Sequence, residues 1–268
     1  MKPIPFEYER PETVDEALDV LAEHGPEAKV LAGGQSLVPA LNMRVVRPAV
    51  VVDINRVVDF ENDRTENGSV GVDALVRQAD ARLREIPLVA EALPCVGHFV
   101  TRNRGTVCGS IAHADPAAEL PLALVVLGGA VRVRSARSSR EIPAAEFFRG
   151  HFTTALAPDE LVVETVWPRP AAGAGWAFAE LAQRHGDFAL CTAAAVVRGE
   201  ELSVGVGSVT GRPVLLAVDP DRPGESAAEQ VEPFDNMHAS ASYQRHLVRV
   251  LVDRVVAEAR RRAEETTE

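Results

Sequence analysis

The sequence predicts an α+β fold, and three observations carry that expectation. Helical and strand-like runs mix along the chain without the strict strand–helix alternation of a parallel α/β protein. Residues 168–175, made of Pro, Ala and Gly with one Arg, read as a linker between a longer N-terminal part and a shorter C-terminal part. A length of 268 residues suggests one or two domains. Such a chain can bury roughly three quarters of its unfolded surface without disulfide or metal staples.

The elements follow in order. Thr13 stands as an N-cap, with Glu16 three residues later as its capping-box partner. Val14, Ala17, Leu18 and Leu21 recur at i, i+3, i+4 and i+7 before Gly25-Pro26, so 14–24 reads as an amphipathic helix. Residues 28–32 form a short apolar strand that Gly33-Gly34 breaks, and Ser36 opens a short helix through Asn42. Residues 49–54 are a continuous apolar strand, and Asn67-Gly68 predicts a hairpin turn before a strand at 69–72. Residues 78–97 read as two helical pieces split by Pro87. The stretch 99–111, rich in Gly, Thr, Asn and Arg, leads into an apolar helix at 115–127 that Gly128-Gly129 ends. Strands at 130–134 and 161–167 precede the linker, and strands at 188–198 and 202–209 follow it. Residues 219–237 are a polar loop. A long helix then starts at Ala241, with Tyr243, Leu247, Val250 and Leu251 on its apolar face and a tail, 260–268, expected to fray.

Composition narrows the function. The chain is 46% apolar and 25% charged, ordinary for a soluble globular protein. A net charge of −11 argues against nonspecific binding to nucleic acid or acidic membrane. Cys95, Cys108 and Cys191 form no Cys-x-x-Cys pair, so an iron–sulfur cluster or structural zinc is not expected within this chain. No run approaches the ~20 apolar residues of a membrane span, and the N-terminus lacks a signal-peptide core. The reading is a soluble, cytoplasmic protein.

Three segments have the chemistry of a binding site. Leu31-Ala32-Gly33-Gly34-Gln35-Ser36-Leu37 runs from a strand through a tight glycine turn into a helix, so its backbone N–H groups can meet a phosphate. A plain turn is the competing reading. Arg104-Gly105-Thr106-Val107-Cys108-Gly109-Ser110 repeats the pattern of small and hydroxyl residues before a helix. Two such loops suit a dinucleotide, which has two phosphates. His113-Ala114-Asp115-Pro116-Ala117-Ala118-Glu119 lacks a third ligand for a metal; its carboxylates suit sugar hydroxyls better. Gly205-x-Gly207-x-x-x-Gly211 has neither the spacing nor the following helix of a dinucleotide fingerprint. Cys108 reads as a small filler rather than a nucleophile. No catalytic residue and no metal ligand is assigned.

Together AGGQSLVP at 32–39, RNRGTVCGSIAHADPAAELP at 102–121, LAPDELVVETVWP at 156–168, QRHGDFA at 183–189 and HASASYQRHLV at 238–248 resemble the FAD-carrying medium subunit of molybdenum hydroxylases, the carbon monoxide and xanthine dehydrogenase group. The resemblance implies an FAD-binding domain of the vanillyl-alcohol oxidase-like (PCMH) type at 1–170. A C-terminal domain at 175–268, a three-stranded sheet with helices, would follow. It implies that Ala32, Gly33, Gly34, Gln35 and Ser36, and then Thr106, Val107, Cys108, Gly109 and Ser110, hold FAD phosphates through backbone. Leu31, Leu37 and Asp115 would bind the cofactor as well. Glu119 stands where the family often has an aspartate that binds ribityl or ribose hydroxyls. Val96 and Val162 match positions lining the cofactor, Glu180 a polar position near the flavin, and Phe188 an aromatic beside the isoalloxazine ring. The family's second loop reads Thr-x-Gly-Gly. Cys108 replaces a glycine there, and would be strained if that position needed a positive φ.

The resemblance further implies partners: a small subunit with [2Fe–2S] clusters and a large subunit with the molybdopterin cofactor, in a dimer of heterotrimers. Electrons would leave FAD for an external acceptor. A stand-alone flavin oxidase or dehydrogenase and an FAD-free scaffold subunit remain the alternatives.

Overall fold

A computed structural model describes residues 1–60, 65–66 and 68–267. The chain opens with β1 (Glu7–Glu9), α1 (Val14–His24), β2 (Ala28–Leu31), α2 (Leu37–Asn42) and β3 (Val50–Asp53). The three strands form a parallel sheet in the order β1-β3-β2. Thr13 caps α1, its hydroxyl accepting from the Glu16 N–H at 3.2 Å. Glu16 reaches back to the Glu12 N–H at 2.8 Å, one residue beyond the expected capping-box donor. Val14, Ala17, Leu18 and Leu21 are buried and share a core with Val50, Val52 and Ile54. Burying each larger aliphatic side chain is worth about 1.5–3 kcal/mol, which fixes α1 over the sheet.

The second layer contains β4 (Thr65–Glu66), β5 (Ser69–Asp73), α3 (Pro87–Ala92), α4 (Phe99–Arg102), α5 (Val107–His113), α6 (Glu119–Leu127), β6 (Ala130–Arg134), β7 (Ser139–Pro143), α7 (Ala144–Phe147), β8 (Phe148–Gly150), β9 (Thr153–Thr154) and β10 (Leu161–Pro168). Its main sheet is antiparallel in the order β4-β5-β10-β6-β7. Trp167 is its largest fully buried side chain and donates from its indole N–H to Thr165 Oγ1 at 2.8 Å.

The last part contains β11 (Gly175–Ala182), β12 (Ala189–Arg198), β13 (Glu201–Gly207), β14 (Val214–Leu216), α8 (Pro223–Glu229) and α9 (Ala241–Thr267). Its sheet is antiparallel in strand order. Cys191, Ala193, Ala195 and Val197 of β12 share a core with Leu247, Val248, Leu251, Val252 and Val255 of α9. Alternate residues, Ala194 and Val196, join the core that contains α6. Every residue of α6 is buried, and it packs against β12, β13 and β10.

The expected sheet of three strands has a fourth. Val214–Leu216 is too short to announce itself by alternation, yet it pairs with Val204–Val206. β11 is a further strand beyond the sequence expectation: both faces of 175–182 meet packing, so its alternation of large and small residues is not one of polar with apolar. The helix expected from Asp115 begins at Glu119, since Asp115 Oδ1 accepts from Ala117 N–H at 2.9 Å and holds a turn. The stretch 99–111 contains two short helices, and the loop 219–237 contains α8. The tail stays helical through Thr267: Arg262 bonds to Glu91, to the Trp176 carbonyl at 2.7 Å and to Glu258 at 2.7 Å. Asn67, half of the expected hairpin turn, lies outside the described residues, while Gly68 has φ +76°.

Candidate functional site

The first glycine loop leaves the carboxyl end of β2, where open parallel sheets place their ligand crevices. Gly34 has φ +72°, a conformation that an L side chain resists. Val38 N–H donates to the Gly34 carbonyl at 3.0 Å and Ala40 N–H to Ser36 at 3.1 Å, starting α2. Among the described residues, no protein acceptor takes the N–H groups of Gly33, Gly34, Gln35 or Ser36. Gln35 and Ser36 are exposed, and Leu31, Ala32 and Leu37 half-buried, so these donors stand at an accessible surface.

The second loop is pressed against the first. A Cβ on Gly33 would lie 2.5 Å from the Arg104 carbonyl oxygen and 2.7 Å from Gly105 Cα. Side groups tie the two loops as well. Asn55 donates to the Ala32 carbonyl at 2.8 Å and accepts from Arg77 Nη2 at 2.7 Å. Arg77 Nη1 donates to the Arg104 carbonyl at 2.5 Å. Asp53, at the end of β3, accepts from Asn55 Nδ2 at 2.6 Å and from the Tyr8 hydroxyl. Burial pushes the Asp53 carboxyl up, but the bonds from Tyr8 and Asn55 outweigh it and leave it below its ordinary value. Tyr8, Asp53, Asn55 and Arg77 were not read from the sequence; no local spacing marks residues whose role is to join two distant loops.

Thr106 caps α5, its hydroxyl accepting from the Gly109 N–H at 3.0 Å. A Cβ on Gly109 would lie 2.5 Å from that hydroxyl, which accounts for the glycine. Val107 N–H is spent on the Val76 carbonyl at 3.0 Å and Ser110 N–H on the Thr106 carbonyl at 3.1 Å. Among the described residues, the donors of this loop without a protein acceptor are therefore fewer than the sequence suggested: the Thr106 and Cys108 N–H groups and the Ser110 hydroxyl. Cys108 itself lies in α5 without a positive φ, so the feared strain does not arise. Its thiol is buried, contacts the Val72 carbonyl at 3.3 Å, and is pushed up by burial to about 12, so it stays protonated.

A second group gathers at the start of α6. Glu119 is 7% exposed, and burial pushes its carboxyl up to about 8, with Glu180 and Asp115 adding to the rise. Glu180 is half-buried and raised by burial, and it receives a hydrogen bond from the Cys95 thiol. Arg102 Nη1 donates to the Val96 and Gly97 carbonyls, each at 2.9 Å, and so holds the turn carrying Val96. Gly186 packs on this turn, since a Cβ there would lie 2.9 Å from the His98 ring. Phe188, two residues on, is 75% exposed, and Phe99 and Val100 beside His98 are exposed too. Val162 is 5% exposed and shares the main core with Val96, Val107 and Cys108, where its side chain packs.

Residues 4–170 match the model of an FAD binding domain in molybdopterin dehydrogenase. Over its whole length the chain is 37% identical to the 6-hydroxypseudooxynicotine dehydrogenase complex subunit alpha of Paenarthrobacter nicotinovorans, covering 99% of that protein. It is 41% identical to the caffeine dehydrogenase subunit beta of a Pseudomonas species, over 76% of this chain and 71% of the relative. Among solved structures, a chain of carbon monoxide dehydrogenase from Hydrogenophaga pseudoflava superposes with a TM-score of 0.91 at 29% identity, covering 97% of this chain and 98% of that one.

Proposed function

The chain belongs to the family of FAD-binding domains of molybdopterin dehydrogenases, and from that premise we propose that it is the electron-transferring medium subunit of a molybdenum hydroxylase. FAD, when bound, supplies the redox chemistry, taking electrons from a partner's iron–sulfur clusters and releasing them to an external acceptor. The chain's own residues bind and orient.

The observation that carries this reading is the pair of abutting glycine loops with unclaimed N–H groups at 33–36. Those groups would hold one phosphate, and the Cys108 N–H with the Ser110 and Thr106 end of the second loop the other. Glu119 and Glu180 would face hydroxyls, and Val96 and Phe188 the ring. No acid, base or nucleophile is required, in keeping with thiols at Cys95, Cys108 and Cys191 pushed up by burial to about 12. Residues 1–170 would form the FAD domain and 175–268 a second domain. A small iron–sulfur subunit and a large molybdenum subunit complete the enzyme, as a dimer of heterotrimers in the cytoplasm. The exposed Phe99, Val100 and Phe188 would contribute to the partner surface. The substrate is selected on the large subunit.

The test is flavin content. The full chain, expressed with its partner subunits, should retain about one FAD per chain. Gly34→Val forces a branched side chain to φ +72° and within 3.2 Å of Leu31 and Val38. The loop then loses its shape at a cost of about 1–3 kcal/mol, and FAD should be lost while the far-ultraviolet spectrum stays. Full FAD in that variant would remove the assignment.

A further inference from the structure

Three backbone bonds seat the second loop. Val107 N–H donates to the Val76 carbonyl at 3.0 Å, Gln78 N–H to the Gly105 carbonyl at 2.9 Å and Ala79 N–H to the Arg102 carbonyl at 3.1 Å. Residues 76–79 thus run beneath the loop as a rail, with Arg77 and Thr106 paired in an isolated bridge. One side chain of the rail then brings a charge to the seam between the loops. Arg77 is half-buried and spends its fork on two neutral acceptors, the Arg104 carbonyl at 2.5 Å and Asn55 Oδ1 at 2.7 Å. The Arg104 carbonyl oxygen is also the atom that a Gly33 Cβ would approach to 2.5 Å. Two steps of 2.5 Å place the Arg77 guanidinium within about 5 Å of where that Cβ would stand. The N–H groups of residues 33–36, which no protein acceptor takes among the described residues, belong to the same turn.

Among the described residues, no carboxylate pairs with Arg77. Asp53 stands one hydrogen bond further on, through Asn55. It is already held by the Tyr8 hydroxyl and by Asn55, and it has Arg10 at 4.0 Å. Burial lowers the Arg77 guanidinium from its ordinary value, with the like charge of Arg104 adding to the fall and Asp53 opposing it. A guanidinium nevertheless stays charged in a protein. A neutral amide could join the same two acceptors without taking a charge out of water, which is costly. Holding the seam therefore does not account for a cation there. Its charge is left for an anion that the chain does not supply.

We propose that Arg77 is the counter-charge of the FAD pyrophosphate, acting through the joined loops while the loops' own N–H groups make the direct contacts. The proposal rests on the FAD reading above and goes beyond it, since that reading gives the phosphates neutral donors only. Arg77 is in this sense a positioning residue with an electrostatic share. Opposite unit charges about 8 Å apart, at an effective dielectric constant of about 20, change an affinity about thirtyfold. Partial exposure of Arg77 and screening by salt reduce the expected share to about tenfold.

FAD titration of the full chain freed of flavin, followed by flavin fluorescence, tests this in Arg77→Lys and Arg77→Gln. Lysine keeps the charge and loses the fork; glutamine keeps a donor and loses the charge. In about 0.02 M salt, Arg77→Gln should bind FAD about tenfold more weakly than the wild type, and Arg77→Lys less than about threefold. The deficit of Arg77→Gln should shrink in about 0.5 M salt, where charges are screened beyond about 4 Å. A role confined to holding the loops predicts that both variants lose FAD alike, with a deficit that salt leaves unchanged. Either result overturns the proposal, as does wild-type affinity in Arg77→Gln. Should Arg77→Gln fail to fold, the unaltered chain decides. ADP should then displace FAD at least about tenfold better than adenosine at low salt, with an advantage that shrinks as salt rises. An advantage that salt leaves unchanged overturns the proposal. If Gly34→Val loses FAD while Arg77→Gln binds as the wild type does, only the counter-charge is refuted. If Gly34→Val binds normally, the FAD site itself is refuted.

Discussion

Gly33→Ala isolates the abutment of the two loops. Gly33 does not use a left-handed backbone conformation, so alanine adds one methyl group and no backbone strain. That methyl would sit 2.5 Å from the Arg104 carbonyl oxygen, 2.7 Å from Gly105 Cα and 3.0 Å from Thr106 N. All three atoms are backbone, so no flexible side chain can swing aside. Ordinary contact starts at 3.4 Å, and the loops must therefore part by about 0.9 Å. Overpacking of this kind costs about 1–3 kcal/mol. The same displacement stretches the Arg77 bond to the Arg104 carbonyl and misaligns the two sets of donors, so FAD affinity should fall about tenfold to a hundredfold. Gly150→Ala is the control, since a Cβ there meets nothing within 4 Å. Thermal unfolding and FAD titration of both variants are the assays. If Gly33→Ala keeps the wild-type melting temperature and affinity, the loops are not in the contact described, and the reasoning fails.

Two further outcomes are expected. Arg262→Ala removes bonds to Glu91, the Trp176 carbonyl and Glu258; at a half-buried site this should cost about 1–2 kcal/mol in urea unfolding. An unchanged midpoint would mean that the end of α9 is not anchored there. Glu160 is held below its ordinary 4.5 by hydrogen bonds from Arg140, which outweigh burial. Its stabilisation is present above that ordinary value and is lost as pH falls through the lowered one. Glu160→Gln should therefore narrow the stability difference between about pH 6 and about pH 3, measured by denaturant midpoints.

Much of the fold was legible where one face is wet and the other dry. Val14, Ala17, Leu18 and Leu21 showed α1 by period, and Thr13 and Glu16 marked its start. β3 and β10 were visible as apolar runs between turn residues. Legibility failed where both faces are dry. β11 alternates Trp176, Phe178 and Glu180 with Ala177, Ala179 and Leu181, and both sets meet packing, so no polar residue marks the outside. The site divides in the same way. Glycine loops carry a local chemical signature, and both were read. Asn55 and Arg77 act across 23 and 27 residues of sequence, and nothing local distinguishes them from surface polar residues. The restriction of the second loop's donors was equally invisible, because it depends on which carbonyls the sheet brings near Val107.

The nine residues of α6 have no outer face, since every one is buried. Leu122 and Val126 press into the hollows left by Gly205 and Gly207, where a Cβ would meet them at 2.6 to 3.9 Å. A rod wedged between two sheets this closely leaves no room for a hinge. Opening the C-terminal sheet away from the rest would expose all of that apolar surface at once. The side chains gathered at the start of α6 are therefore held at a fixed separation from the sheet. Any adjustment near them falls to surface loops such as 183–188 and to whatever chain covers them, not to a parting of the body.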